Sequence, residues 1–342
     1  IVACPCALAL TAPFTLGNVL RIMGKFKMYL KNATVIEQMA SIDTIVFDKT
    51  GTLTSHKQSE IKWIGNLTND ELALVKKVVQ GSNHPLSRKI YDQISVISSS
   101  KSLSDFKETA GKGIEALLNG HHIKIGSASF LEVQNQHDDL QTRIFVQIDG
   151  VLRGNYLFNN QYREGMSELF SVLKKNYKLV ILSGDNEGER LFLEQILPQE
   201  VQMVFNQKPE EKLKFIEQLQ NEGKKVMMIG DGLNDAGALA QSEVGMAVAE
   251  NINVFSPACD GIIDASILKK LANYLNYSKN AMQTIRMSFT LSLIYNIIGL
   301  SFAVSGFLSP LVAAIIMPLS TITIVSFVTM MTSYFAKKNQ LF

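Results

Sequence analysis

The sequence predicts an α/β fold, in which a doubly wound parallel sheet carries an inserted α+β unit and is accompanied by transmembrane α-helices. Three observations lead to this prediction. Short apolar runs that end in polar residues alternate with helical stretches, which is the pattern of a parallel sheet. A long mixed region, 55–156, separates the first apolar run from the others. Segments near both ends of the sequence contain no charged residue, as membrane-spanning helices require.

Composition indicates more than one structural unit. The chain has 342 residues, of which 46% are hydrophobic and 19% charged, and this apolar balance favours membrane segments. The net charge of +2 is too small to indicate nucleic-acid binding. Three cysteines are too few for a disulfide framework, so the parts outside the membrane are expected to face the cytosol. Because the chain begins at Ile1 within an apolar run and without a methionine, we expect it to be a fragment.

The first predicted element is a membrane helix. Residues 1–20 carry no charge, and four basic residues follow them: Arg21, Lys25, Lys27 and Lys31. Positive residues accumulate where a helix leaves the membrane into the cytoplasm. Pro5 lies between Cys4 and Cys6, where it removes a backbone donor and bends the helix so that both thiols face one cavity. Thiolates select soft ions such as Cu(I) or Zn(II), so this helix is expected to bind a metal.

The next element is a buried strand, 45–47, that ends at Asp48. Ligands bind at the carboxyl ends of the strands in open α/β sheets, so Asp48 is expected to face a substrate. The turn that follows offers the hydroxyl groups of Thr50 and Thr52 and, around Gly51, backbone N–H groups that can hold phosphate oxygens. A carboxylate in this place can act as a nucleophile and form an aspartyl-phosphate.

The region 55–156 is expected to form the inserted unit. Its helical and strand-like stretches are 69–80, 85–94, 122–125 and 144–148. Two features can bind a nucleotide: the imidazole of His84 can stack on a purine, and Gly111 and Gly113 allow the backbone to approach closely. A His-Pro pair is equally common at a helix start, and a Gly-x-Gly pair in a turn. No Gly-x-x-x-x-Gly-Lys-Ser/Thr motif is present, which argues against a P-loop enzyme.

After this region the sheet is expected to resume with strands 179–182 and 226–229, separated by a helix over 210–222. Polar residues follow the strands or begin the helix, and they are expected to meet at the edge of the sheet that holds Asp48. These residues are Asp185, Lys212, Asp231 and Asp235. Phosphoryl transfer needs a nucleophile, a cation that balances phosphate charge and carboxylates that hold Mg²⁺. The set therefore predicts a phosphoryl-transfer site.

The last segment, 287–336, contains no Asp, Glu, Lys, Arg or His. It is too long for one membrane span and fits two helices joined by a turn near Ser305 and Gly306. Basic residues flank the pair on both sides, namely Lys279, Arg286, Lys337 and Lys338. The positive-inside rule therefore predicts that both ends of the pair lie in the cytoplasm.

Four residues of this pair are candidate ion ligands: Tyr295, Asn296, Met317 and Ser320. A thioether such as that of Met317 suits Cu(I), whereas Zn²⁺ would be better served by a carboxylate, and neither helix has one. A lone methionine in an apolar helix is also an ordinary packing residue. Cys259, which has no second soft ligand near it in the sequence, is expected to be a structural or surface thiol.

Several of these motifs resemble those of P-type ATPases that transport heavy metals. The run from Asp48 to Thr54 (Asp-Lys-Thr-Gly-Thr-Leu-Thr) matches the phosphorylation motif of P-type ATPases residue for residue. Cys4-Pro5-Cys6 resembles the Cys-Pro-Cys motif of the heavy-metal subgroup, and the order of His84 and the glycine pair resembles its nucleotide-binding domain. The Tyr-Asn pair at 295–296 and the Met-Pro-Leu-Ser-Thr run at 317–321 resemble the Cu(I) pumps.

Five positions depart from that family's pattern, one of which is Thr321, where the Cu(I) pumps have a serine and the hydroxyl group is kept. Val79 stands where many of these pumps have a glutamate, and Ser127 replaces the asparagine of an Ile-Gly-Asn turn, so contacts to adenine are expected to differ. Ser183 replaces a threonine and keeps the hydroxyl group. Gly237 replaces a proline, which loosens the start of a helix but leaves the aspartates in place.

The resemblance implies a haloacid-dehalogenase-like phosphorylation domain and a role for each candidate residue. The catalytic residues would be Asp48, Lys49, Thr50, Asp185, Lys212 and Asp235. Mg²⁺ would be held by Asp48, the Thr50 carbonyl and Asp231. ATP would be bound by His84, Gly111 and Gly113. The transported Cu(I) would be bound by Cys4, Cys6, Tyr295, Asn296, Met317 and Ser320.

The resemblance also implies a domain order and a function. The order is a transmembrane helix in 1–30, the phosphorylation domain in 31–54 and 157–275, the nucleotide-binding domain in 55–156 and two transmembrane helices in 276–342. The function would be ATP-driven transport of Cu(I) out of the cytoplasm through an aspartyl-phosphate intermediate. The implied location is the lipid bilayer of a bacterial inner membrane, with a copper chaperone as the donor of the ion.

Two alternatives stay open from the sequence. A pump for Zn²⁺ or Cd²⁺ would keep the fold and the phosphoryl chemistry but change the ion. A membrane metal-binding protein without ATPase activity would need a broken catalytic set, and all the residues of that set are present in the sequence.

Overall fold

The computed structural model describes residues 6–54, 60–98, 103–109, 111–133, 142–159, 161–185, 187–232, 234–250, 259–306 and 309–342. The helices are α1 Cys6–Lys25, α2 Thr34–Ser41, α3 Asn69–Gln80, α4 Pro85–Gln93, α5 Met166–Leu173, α6 Arg190–Ile196, α7 Pro209–Asn221, α8 Ala236–Gln241, α9 Leu271–Val304 and α10 Pro310–Lys338. The strands are β1 Met28–Leu30, β2 Thr44–Asp48, β3 Glu60–Gly65, β4 Ser104–Thr109, β5 Gly113–Leu118, β6 His121–Gly126, β7 Thr142–Ile148, β8 Val151–Asn159, β9 Lys178–Leu182, β10 Gln202–Val204, β11 Val226–Gly230, β12 Val244–Ala249 and β13 Gly261–Asp264.

The chain folds into two compact units. The first consists of Ile1–Leu53, Arg163–Asn186 and Phe192–Phe342, and the second of Thr54–Tyr162 and Glu187–Leu191. The second unit therefore begins directly after the turn that follows β2.

The first unit is built on a seven-stranded sheet with the order β1-β13-β12-β11-β2-β9-β10. All neighbouring strands are parallel except β1 and β13, which pair antiparallel. Every residue of β2 and β11 is buried, because these central strands are covered on both faces, and such strands are continuous apolar runs in sequence. The predicted α/β fold with a doubly wound parallel sheet is confirmed.

The two faces of this sheet pack against different helices. Val46 of β2 belongs to a core cluster with Ile216 of α7 and Leu239 of α8. Its neighbour Phe47 points to the opposite face, where its ring lies 4.8 Å from the ring of Phe170 in α5. Because successive side chains of a strand alternate between faces, burial on both sides holds Asp48 at a defined place on the edge of the sheet.

The second unit is a six-stranded antiparallel sheet with the order β3-β8-β7-β6-β5-β4 and two helices, α3 and α4, packed on it. Helix α3 spans the residues that its apolar spacing predicts. Its start is set by a capping box, in which Thr68 accepts a hydrogen bond from the Glu71 backbone N–H and the Glu71 carboxylate accepts one from the Thr68 N–H. The core between helices and sheet includes Val78, Ile90, Ile123 and Tyr156.

In the described part of the chain, two helices are long and apolar enough to cross a membrane, namely the spans Ala265–Val304 and Ala314–Lys338. They correspond to α9 and α10, and the turn between them includes Ser305 and Gly306, where the sequence predicted it. Helix α1 is the third predicted span, and it contacts both of these helices. Many large apolar side chains of α9 and α10 are exposed, among them Leu293, Ile297 and Leu311.

Helices α1 and α9 connect to the seven-stranded sheet through its paired strands β1 and β13. Strand β1 follows α1 after a short turn, and β13 leads through a 3₁₀ turn into α9. At this junction Lys27 forms an ion pair of 3.3 Å with Asp264, whose backbone N–H donates to the Lys27 carbonyl. The hydroxyl of Tyr274 donates to the Phe26 carbonyl. The ends of α1 and α9 are thus tied to each other and to the edge of the sheet.

Candidate active site

The predicted polar residues meet at one edge of the parallel sheet. Asp48 is the last residue of β2, which lies between β9 and β11. Asp185 follows β9, and Asp231 follows β11. Since the carboxyl ends of parallel strands lie at the same edge, residues far apart in sequence converge there. Lys212 reaches the same place from the first turns of α7.

The centre of the site is an amine shared by two carboxylates. The Nζ atom of Lys212 donates to Asp48 Oδ1 at 2.5 Å and to Asp235 Oδ1 at 2.7 Å. All three side chains are buried, with exposed fractions of 3% for Asp48, 6% for Lys212 and 2% for Asp235. Among the described residues, the Asp48 side chain makes no other hydrogen bond, so Asp48 Oδ2 is available to a substrate.

The protonation states of this cluster are set by competing effects. Burial, together with the negative charge of Asp235, raises the pKa of Asp48 to about 7, although Lys212 opposes that change. Burial raises the pKa of Asp235 as well. Burial alone would lower the pKa of Lys212, but the charges of Asp48 and Asp235 outweigh it and raise the pKa. The lysine therefore stays charged and favours the ionised form of the nucleophile.

A second ion pair holds the turn after Asp48. Lys49 Nζ lies 2.8 Å from Asp185 Oδ2, and the Thr50 hydroxyl donates to the same oxygen at 2.8 Å. Burial disfavours the charged form of Asp185, but the hydrogen bond and charge of Lys49 and the hydrogen bond of Thr50 lower its pKa below the usual value. Gly51 has φ +77°, a left-handed conformation that favours glycine and turns the backbone sharply after Thr50.

The sequence analysis did not identify Arg163 as part of this turn. Its Nε donates to the Thr52 carbonyl at 2.8 Å, and one terminal nitrogen donates to the Gly51 carbonyl at 3.0 Å and to Glu250 Oε1 at 3.1 Å. The backbone N–H of Arg163 also donates to the Leu53 carbonyl. No local motif marks this arginine, because its partners lie 87 to 112 residues away.

The loop after β11 is shaped by tight packing. A methyl group at Gly230 would lie 2.7 Å from Asp235 Oδ2, so only glycine fits beside that carboxylate. Asp231 Oδ1 accepts from the Asn234 backbone N–H at 3.1 Å, and Asp231 Oδ2 accepts from the Asn234 side-chain amide at 2.8 Å. These contacts bring the carboxylates of Asp231 and Asp235 to the edge that holds Asp48.

The arrangement of nucleophile, cation and carboxylates on this sheet agrees with the family to which the chain is matched. The model of the haloacid dehalogenase-like hydrolases, described as a hydrolase family, matches residues 42–243, more than half of the chain. The chain belongs to the haloacid dehalogenase-like hydrolase family.

Within this family the relatives carry P-type ATPase names. The chain is 29% identical over 343 residues to the copper-exporting P-type ATPase of Staphylococcus saprophyticus, covering 95% of this chain and 42% of the relative. The chain thus spans less than half the length of that curated relative. The resemblance to heavy-metal P-type ATPases that the sequence motifs indicate is confirmed by this similarity over most of the chain.

Two solved structures are similar to this member of the family. A zinc-transporting PIB-type ATPase in its E2.Pi state aligns with a TM-score of 0.77 at 24% identity, over 97% of this chain and 56% of that one, which concerns the fold alone. The catalytic CPx-ATPase domain CopB-B aligns with a TM-score of 0.57 at 30% identity, over 76% of this chain and 98% of that domain.

Magnesium is the metal that the family implies, and the residues present fit it. Asp235 Oδ2 and Thr52 Oγ1 are buried without a hydrogen-bond partner in the described part of the chain, so acceptors remain for a hydrated cation. The available donors are oxygens, which Mg²⁺ prefers. No three His, Cys, Asp or Glu side chains form a ready-made site within the described ranges. This is expected of Mg²⁺, which keeps waters and takes substrate phosphate oxygens as ligands.

The predicted nucleotide residues all lie in the second unit. His84 is exposed at the start of α4, where its Nδ1 accepts from the Leu86 backbone N–H at 3.2 Å. Gly113 begins β5 and pairs with Gly126 of β6. A methyl group at Gly113 would lie 2.5 Å from the Ile125 carbonyl, so the two strands approach each other here too closely for a side chain at this position. Gly111, in the preceding turn, has φ +71°.

The candidate ion ligands are described only in part. Cys4 lies outside the described residues, and Cys6 begins α1 without a described side chain. Tyr295 and Asn296 are half-buried in α9, and Ser320 is half-buried in α10, the helix that also contains Met317. Cys259 is a buried cysteine in a small cluster with Ala247, Ala249 and Ile262.

Proposed function

We propose that the chain is the catalytic and ion-binding part of a Cu(I)-transporting P-type ATPase. The observation that carries this proposal is the buried cluster at the edge of the parallel sheet, in which Lys212 binds one oxygen of Asp48 and leaves the other free. A structural carboxylate at the surface does not require a buried lysine beside it. A carboxylate that attacks a phosphate does, because the cation balances the negative charge of both groups. The domain boundaries implied by the sequence are part of this proposal.

In the proposed reaction, Asp48 Oδ2 attacks the γ-phosphorus of ATP. A bond forms between this oxygen and phosphorus, and the bond from phosphorus to the β,γ-bridging oxygen breaks, so that ADP leaves. Lys212 holds the other oxygen of Asp48 and keeps the attacking carboxylate ionised. Mg²⁺, when held by Asp48, the Thr50 carbonyl and Asp231, would neutralise charge on the phosphate oxygens.

Lys49, Thr50 and Asp185 have a separate part in this proposal. Their shared contacts hold the turn that follows the nucleophile, and the backbone N–H groups of such a turn can bind phosphate oxygens. Asp235 keeps Lys212 in position from the side opposite Asp48. Lys212 is thus shared by Asp48 and Asp235, whereas Asp185 is bound by Lys49 and Thr50.

The second unit is proposed to bind ATP, with the purine stacked on His84. Because His84 also caps α4, the informative change is His84→Asn, which keeps a good N-cap acceptor but removes the aromatic ring. We expect this variant to weaken ATP binding by roughly 1–2 kcal/mol, the scale of one base-stacking contact, with an unchanged melting temperature. Calorimetric titration with ATP and thermal unfolding measure the two effects. An unchanged affinity for ATP would contradict the stacking role.

Copper is the proposed ion because of the donor set. Two thiols and a thioether are soft ligands that suit Cu(I), and residues 287–336 offer no carboxylate to a divalent ion. A doubly charged ion in a medium of low dielectric constant also requires more compensating charge than a singly charged ion. The copper-exporting relative supports this choice, and the zinc-transporting structure represents the competing one.

The ion is tested by ATP hydrolysis in the intact protein against a panel of metals. We expect stimulation by Cu(I) or Ag(I) under reducing conditions, and little response to Zn²⁺ or Cd²⁺. Cys6→Ser is expected to remove the stimulation because one of the two thiolates is lost. Cys259→Ser is the matched control, since Cys259 packs within the first unit near β12 and β13. Stimulation by Zn²⁺ with none by Cu(I) would assign the chain to the zinc and cadmium pumps.

A further inference from the structure

The loop before His84 is connected to strand β4 through one buried hydroxyl. Ser82 is fully buried, and its hydroxyl donates to Glu108 Oε1 at 3.0 Å. The same hydroxyl oxygen accepts from the His84 backbone N–H at 3.1 Å. Glu108 and His84 therefore share one partner, although they are 24 residues apart in a chain whose fold brings β4 beside the start of α4.

The side chain of Glu108 lies on the face of β4 that meets this loop. Its contact with the Ser82 hydroxyl places the carboxylate there. Phe106 packs under the loop, since a methyl group at Gly81 would lie 2.9 Å from its ring. Both Glu108 and His84 are exposed, whereas Ser82 between them is buried. The Glu108 carboxylate and the His84 backbone are thus joined through Ser82, and both residues are exposed to a ligand.

One oxygen of this carboxylate is available. Ser82 is the hydrogen-bond partner of Glu108 within the described ranges, and it binds Oε1, which leaves Oε2 to accept a bond from a ligand. Val79, which precedes the loop on α3, is fully buried and apolar, so it offers no polar group to a ligand. An ionised carboxylate accepts hydrogen bonds and donates none.

An acceptor such as the Glu108 carboxylate can discriminate between purines. Adenine carries an amino group at position 6, which donates, whereas hypoxanthine and guanine carry a carbonyl oxygen there, which a carboxylate repels. We propose that Glu108 accepts a hydrogen bond from the 6-amino group of an adenine stacked on His84, and that it makes the site select adenine nucleotides over 6-oxopurine nucleotides. The inference rests on the proposed binding of a nucleotide by the second unit. A binding site that hydrogen-bonds a polar group of its ligand rejects analogues without that group, because the protein's own hydrogen-bonding group then has no partner.

The test compares ATP with inosine triphosphate, which has an oxygen in place of the 6-amino group. Calorimetric titration of the full chain is expected to give an affinity for ATP at least about tenfold higher, the scale of a hydrogen bond to a charged group. Glu108→Ala is expected to bring the ratio of the two affinities close to one, mainly by weakening ATP binding. Glu108→Gln is expected to raise the affinity for inosine triphosphate, because the carboxamide can donate to its carbonyl oxygen.

The matched control is Asp92→Ala, which removes an exposed carboxylate from α4 of the same unit and is expected to leave the ratio unchanged. If wild-type protein binds ATP but Glu108→Ala retains the wild-type ratio, the inference is wrong while nucleotide binding stands. If wild-type protein binds neither nucleotide, both the inference and the proposed nucleotide site are wrong. Thermal unfolding of each variant shows that the changed ratio belongs to a folded protein.

Discussion

Asp48→Asn is expected to abolish acid-stable phosphorylation by ATP in the intact protein while leaving the fold in place. The carboxamide has the shape of the carboxylate, and its oxygen can still accept from Lys212, but it has no ionised oxygen to attack phosphorus. Burial and Asp235 already raise the pKa of Asp48 to about 7, so a neutral side chain is tolerated there. We therefore expect equal or higher stability together with the loss of the phosphoenzyme.

The measurement is transfer of label from γ-labelled ATP, followed by acid precipitation and thermal unfolding of the same sample. Asp92→Asn is the matched control, because it makes the same chemical change at an exposed position of α4. Persistent labelling of Asp48→Asn would show that another residue accepts the phosphoryl group. A lowered melting temperature with normal labelling of the folded fraction would assign Asp48 to stability alone.

Lys212→Met is expected to have the largest effect on stability. It leaves the buried carboxylates of Asp48 and Asp235 without the amine that they share, and the loss of one partner from a buried ion pair costs roughly 3–5 kcal/mol. Phosphorylation is expected to disappear as well, because the nucleophile loses the cation that keeps it ionised. Lys214→Met, an exposed change on the same helix, is the matched control.

The destabilisation by Lys212→Met is expected to depend on pH. Burial already raises the pKa of Asp48 and of Asp235 in the folded state, and removal of the lysine raises both further. The folded variant then binds protons more tightly than the unfolded chain, so its stability falls as the pH rises through the folded pKa values. Urea unfolding should therefore show a larger deficit at pH 8 than at pH 5.5. Equal deficits at both values would contradict the charge-based origin.

The local elements followed from patterns within a few residues. Helix α3 covers the stretch 69–80 that the sequence indicates, and the capping box of Thr68 and Glu71 in the structure defines its start. Strands β9 and β11 coincide with their apolar runs to within one residue. The turn between α9 and α10 lies at Ser305 and Gly306. These features are determined by hydrogen bonds and side-chain alternation over a short stretch of backbone, so the sequence alone contains them.

Convergence of the acidic residues was also predictable, although their individual partners were not. The acidic residues were expected to meet at one edge of the sheet, because the carboxyl ends of parallel strands lie on the same side. That Lys212 would bind Asp48 and Asp235, rather than Asp231, was decided by the direction of α7 against β2 and α8. The tie between Lys49, Thr50 and Asp185 depends on the pairing of β2 with β9.

The sequence by itself determined the chemistry available to this protein: a carboxylate after a buried strand, a lysine at the start of a helix, two thiols around a proline and an uncharged segment, 287–336, that is long enough for two helices. Only the tertiary structure decided which groups share protons and hydrogen bonds. Two sets of hydrogen bonds join segments that are distant in sequence. Arg163 donates to the carbonyls of Gly51 and Thr52, and Glu108 accepts from Ser82. Such contacts depend on the packing of whole elements, and no local pattern encodes the distance between two side chains that only the complete sheet brings together.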